Sequence, residues 1–171
     1  MRMAIPAVCA VQHGCGINSN LRAKASMDTE IKPIKNKELS CGVVPVHFAW
    51  GDWQLLILRR GEVWDFPAGI ISVHEDALEA AKRETIAATG IDDLEFAFGE
   101  DHKETVPNAS NKVGRYYVAE TRAETITLPI AHKSGKPAHD EWRWVTCDDA
   151  EDYLPPRLTH VLEWLRAKIN E

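Results

Sequence analysis

The stretch from Gly69 to Ile91, GIISVHEDALEAAKRETIAATGI, constrains the fold more than any other part of the chain. It predicts one helix with both ends specified. Asp76 is placed as an N-cap, and Glu79 three residues later completes a capping-box-like pair. Gly90 supplies the left-handed residue that ends a helix. Between them Ala77 to Thr89 is rich in good helix formers. Leu78, Ala81, Thr85 and Ala88 recur at helical spacing and define a small-residue face. The flanks are strand-like. Gly42–Ala49 and Gln54–Arg59 are apolar and β-branched, with Trp50–Trp53 as a hairpin turn. Trp64–Gly69 is a loop punctuated by Pro67 and Gly69. Leu94–Phe98, Lys112–Thr121, Thr125–Ile130 and Glu141–Thr146 follow as strands, with Val113, Tyr117 and Ala119 sharing one parity of the second. Asp148–Tyr153 is a helical turn. Pro155 and Pro156 open a last helix whose apolar stripe is Leu158, Val161, Leu162, Leu165 and Ile169. Strands and helices in this order give an α/β (α+β) domain without an internal repeat.

A chain of 171 residues suits one such domain with a tail. Residues 1–38 hold six basic and three acidic side chains and residues 39–171 hold 14 and 23, so the net charge of -6 divides into +3 and -9. We therefore expect an N-terminal leader over 1–38, with 1–26 dispensable, and a folded domain over 39–171. A body this acidic excludes a broad nucleic-acid surface but not a small phosphorylated ligand met by local cations. No apolar run is long enough to span a bilayer, so no membrane partner is expected. Cys9, Cys15, Cys41 and Cys147 form no CxxC pair. Cys9, His13 and Cys15 resemble half of a soft-metal site without a second half, and free thiols in a reducing cytoplasm are the simpler expectation.

The spacing inside Gly69–Ile91 carries the chemistry. Glu75 follows Gly69 after five residues, Arg83-Glu84 follow after seven more, and Gly90-Ile91 close the pattern. This resembles the Nudix box, G-x5-E-x7-R-E-U-x-E-E-x-G-U, where U is bulky and apolar. Thr85 replaces one apolar residue, a mild departure. Ala87 and Ala88 stand where the family has paired glutamates. Positions 84, 87 and 88 share one helix face, so three glutamates there would form the hard oxygen array that magnesium takes up beside phosphate. Glu84 is the one member left. SCGVVPVHF, LLILRR, WDFPAG, YYVAE and HDEWRWV extend the resemblance over residues 40 to about 169, toward diadenosine tetraphosphate hydrolases. In that branch a Lys and a Glu usually occupy the positions of Ala68 and Ala138.

The resemblance implies a Nudix fold, a mixed β-sheet sandwiched between α-helices. It implies that Glu75 and Arg83 fix the loop-helix geometry and that Glu84 is a metal ligand, these three forming the catalytic set. Lys112, Arg115 and Tyr116 fall on the strand that faces substrate in relatives, where the cations would hold phosphate oxygens. Tyr116 or Trp64 would stack on a base, although packing is the commoner fate of such rings. Arg59 belongs to a short basic pair with Arg60. His139, Asp140 and Glu141 would supply a base or replacement ligand, or simply form a polar loop, and His74 is a loop residue that could ligate a softer metal. Two functions follow. One is a hydrolase of nucleoside polyphosphates such as dinucleoside tetraphosphates, with magnesium or manganese, Glu84 being assisted by Glu104, Asp140 or Glu141. The other is a catalytically silent module that binds a nucleotide or a protein partner and needs no metal. Ala87 and Ala88 favour the second on mechanism.

Overall fold

The computed structural model describes residues 38–131 and 134–171. Residues 1–37 of the expected leader, with Cys9, His13 and Cys15, lie outside the described residues, and Glu38 belongs to the domain. A seven-stranded mixed sheet forms the centre, with strands β1 (Glu38–Ala49), β2 (Asp52–Arg60), β3 (Val63–Asp65), β4 (Gly69–Ile70), β5 (Lys103–Glu104), β6 (Lys112–Glu120) and β9 (Glu141–Val145). Its main path runs β3-β2-β1-β6-β5, with β4 on β1 and β9 on β2. β1 and β6 are parallel over nine residue pairs, Glu38 with Lys112 through Val46 with Glu120. The remaining pairings in this sheet are antiparallel. β7 (Ile130–Ala131) and β8 (Lys136–Pro137) make a separate hairpin.

Alternation along β1 and β6 sends side chains to both faces. Val44, Val46, Tyr116 and Val118 join Leu158, Val161, Leu162, Leu165 and Ile169 in one core. That core lies under α2 (Cys147–Tyr153) and α3 (Thr159–Ile169), and the expected apolar stripe is its helical half. On the other face Cys41, Val43, Tyr117 and Ala119 pack against Ala80 and Ala81 of α1 (Ala77–Thr89). The sheet is thus enclosed between helices, as the resemblance implied.

α1 begins and ends as expected. The Asp76 carboxylate accepts from the N–H groups of Leu78 and Glu79, and Gly90 closes the helix at φ 76°. Glu79 pairs with Lys82 at 2.9 Å instead of completing a capping box. Thr85, a mild departure on sequence, is fully buried, and its Oγ1 accepts the Val43 N–H at 2.9 Å. The small-residue face therefore ties α1 to β1 by a hydrogen bond as well as by contact.

Several boundaries differ from expectation. β1 starts at Glu38 rather than Gly42, because its first residues find a partner in β6. The hairpin turn is confined to Trp50 and Gly51, both left-handed at φ 54° and 90°, which suits a tight two-residue connection. Leu94–Phe98 makes one bridge, Glu95 to Glu120, and no strand, because the chain turns back where the Gly99 N–H bonds to the Phe96 carbonyl at 3.0 Å. Thr125–Ile130 is not a strand before Ile130. Ile126 instead fills a cluster with Leu56, Leu58 and Ile91. Pro156–Leu158 is a 3-10 turn, and α3 proper begins at Thr159. Cys41 and Cys147 are free and buried. Among the described residues no helix is long and apolar enough to cross a membrane.

Candidate functional site

The loop before α1 is fastened to the helix by one arginine. Arg83 donates from Nε to Glu75 at 2.6 Å and from a terminal nitrogen to Glu75 at 2.8 Å. Its other terminal nitrogen donates to Glu84 at 2.5 Å. Glu75 also accepts the Ser72 N–H at 2.9 Å, closing the loop on itself. The guanidinium, followed by that backbone N–H, holds the Glu75 carboxyl down at about 2. Glu75 and Glu84 in turn push the Arg83 pKa upward. The positions named for Glu75 and Arg83 are therefore occupied by a loop clamp. Glu84 lies over Gly69, where a Cβ would overlap its carboxylate and force that side chain to move.

The donor set at this helix face does not fit a magnesium ion. Ala87 is exposed and Ala88 half-buried, and neither brings an oxygen. One Glu84 oxygen is engaged by Arg83. No three His, Cys, Asp or Glu side chains converge among the described residues. A hard cation that also keeps waters needs more than one carboxylate oxygen.

Beside the box lies a cleft of about 490 Å³. Ala68 lines it, directly before the Gly69 that Glu84 covers. Leu58, Val63, Phe66 and Val106 give it apolar wall, and Arg60, Lys112 and Arg157 give it positive charge. Its one carboxylate among the described residues, Asp65, accepts from Arg157 and from the Tyr116 hydroxyl at 3.3 Å. Burial first, then the Asp65 charge, hold the Tyr116 phenol above its usual range. His139 also lines the cleft, with Nδ1 buried and unpaired. Burial, then Arg60, lower its pKa and favour the neutral ring.

The structure thus brings Lys112 and Tyr116 of the expected binding residues to the cleft. Tyr116 is a wall, 2% exposed with its ring against Phe66, rather than a free stacking face. Arg115 has the opposite strand parity and pairs with Glu104 at 2.7 Å. Arg59 pairs with Glu141 at 2.9 Å. Trp64 is 9% exposed, with the Arg143 guanidinium 4.9 Å and the Tyr153 ring 5.5 Å from its ring centre. None of these three lines the cleft. Asp140 accepts the Gly61 N–H at 2.7 Å, and Glu141 also pairs with Arg143 at 2.7 Å. His74 is an exposed loop residue at φ 66°. Arg157 and Asp65 are the cleft residues that sequence reasoning missed, and of the basic pair it chose Arg59 where Arg60 lines the cleft. Strand alternation separates Arg59 from Arg60, but only the position of the cleft tells which parity matters.

A mixed sheet between helices, a parallel β1–β6 pair and an arginine-clamped loop-helix together define a Nudix-type domain. The NUDIX domain family model matches residues 42–165, and the chain belongs to this family. Among solved structures, a C. elegans Ap4A hydrolase binary complex is similar with TM-score 0.66 and 22% identity, covering 78% of this chain and 98% of that one. The NUDIX domain of Shewanella oneidensis NrtR, complexed with ADP ribose, gives TM-score 0.62 and 15% identity over 88% and 99%. A NUDIX hydrolase of Listeria monocytogenes gives 0.60 and 22% over 77% and 94%. These likenesses describe the fold. A comparison with curated proteins finds no match.

Proposed function

We propose that the chain is a Nudix domain that binds a nucleoside polyphosphate, of the dinucleoside tetraphosphate class, with little or no hydrolysis. One observation carries this reading: the box face keeps Glu84 but presents Ala87 and Ala88, while Arg83 engages a Glu84 oxygen. The cleft supports the binding half, since it combines apolar wall for a base with cations for phosphate. The Ap4A hydrolase among similar structures supports this ligand class, and the ADP-ribose complex supports the coarser reading of a nucleotide ligand. Family membership favours an active hydrolase as the second reading. Against it, the carboxylates expected to assist Glu84 are engaged elsewhere: Glu104 with Arg115, Asp140 with Gly61, and Glu141 with Arg59 and Arg143.

The test is an assay of diadenosine tetraphosphate hydrolysis with magnesium or manganese. The expected result is turnover at background for the unmodified chain and a gain in turnover for the Ala87→Glu, Ala88→Glu double variant. Clear turnover by the unmodified chain that Glu84→Gln abolishes would overturn the proposal in favour of a hydrolase.

A further inference from the structure

We infer that the cleft takes its polyphosphate as the free anion, with side chains rather than a divalent ion meeting the charge. The inference rests on the reading above that the chain binds a nucleoside polyphosphate. Among the described residues Arg60, Lys112 and Arg157 line the cleft against a single carboxylate, Asp65. That carboxylate is occupied by Arg157 and the Tyr116 hydroxyl, so it offers little to a cation. Arg60 has no carboxylate partner among the described residues. Its Nε is held by the Ala138 carbonyl at 2.8 Å, which aims the guanidinium without neutralising it. Lys112 pairs at 3.0 Å with Glu38, both substantially exposed. Such a pair is weak in water, and the ammonium is readily recruited by a phosphate.

The border between cleft and box offers a divalent ion one carboxylate among the described residues, with one of its oxygens already bonded to Arg83. Ala68 carries no polar side-chain atom, and the first carboxylate beyond it, Glu84, is bonded to Arg83. A divalent ion bound to polyphosphate removes negative charge from the ligand. It would then bring its own positive charge toward a wall that is already cationic, where like charges repel. Magnesium should therefore compete with this protein for polyphosphate instead of bridging the two.

Titration calorimetry on the full chain tests this, with diadenosine tetraphosphate and ATP as probes, in EDTA and in excess magnesium. Binding in EDTA should be at least as tight as in magnesium. Arg60→Gln and Lys112→Gln should each weaken it by about tenfold, the worth of one charge-assisted contact. Thermal melts of both variants check that the domain is intact. Binding that requires magnesium, or that neither substitution weakens, overturns this inference and leaves the parent reading standing. Absence of binding in both buffers overturns the parent reading and this inference with it.

Discussion

Thr85 and Glu75 show how single residues of the box hold it in shape. Thr85 stands where the family pattern has an apolar side chain, yet it is buried and its hydroxyl satisfies the Val43 N–H. Thr85→Val keeps the volume and orphans that N–H, so it should cost about 1–3 kcal/mol in urea unfolding. Glu75 is lowered from its usual 4.5 to about 2, chiefly by Arg83. A depressed carboxyl stabilises the folded state above its unfolded pKa and loses that contribution as pH falls through the folded one. The clamp should therefore be fully effective above about 4.5 and should fail on descent toward about 2. In acid-unfolding curves Glu75→Gln should be less stable at neutral pH, and its deficit should shrink across that window. At this scale the clamp was legible through the resemblance to the Nudix box, which implied that Glu75 and Arg83 fix the loop-helix geometry. The sequence was silent about Thr85, since a hydroxyl facing a backbone amide on a strand 42 residues away has no local signature.

Elements were legible where their partners lay within the pattern itself. α1 has a cap at each end and a small-residue face, and the stripe of the last helix repeats at helical spacing, so both helices formed, the last one only from Thr159. Strands were legible only where another strand accepted them. Leu94–Phe98 has strand composition but makes a single bridge, and Thr125–Ile130 spends its apolar side chains on a core cluster. Conversely, β1 runs back to Glu38 because β6 lies parallel beside it. β1 also crosses beneath the loop at Pro67 and Ala68, where a Cβ on Gly42 would overlap the Pro67 carbonyl oxygen and the Ala68 backbone. A backbone cannot swing aside as a side chain can. Gly42→Ala should thus destabilise by at least about 1–3 kcal/mol, and should cost more than Gly69→Ala, which meets only the flexible end of Glu84. Chemical denaturation of the two variants compares them directly.

For the whole molecule, the cleft is the consequence of assembly. It collects side chains from β1, β2, the Pro67 loop, β6, the segment before β9 and the turn before α3, so ligand binding should stabilise all of them together. A nucleoside polyphosphate at a hundred times its dissociation constant should raise stability by about 2.7 kcal/mol, visible as a higher Tm in a thermal melt. Magnesium alone should leave Tm unchanged, because the box face lacks the oxygen ligands that would gain from it. The sequence by itself determined the fold class and the capped box helix, since these depend on residue type and local spacing, and its resemblance to the Nudix box pointed to the clamp residues and to the two alanines in place of carboxylates. Only the tertiary structure decided that Arg60 and Arg157 face the cleft while Arg59, Arg115 and Trp64 are engaged elsewhere. The physical reason is that a strand offers each side chain two faces, and which face becomes the wall of a cleft is set by the elements that pack against it.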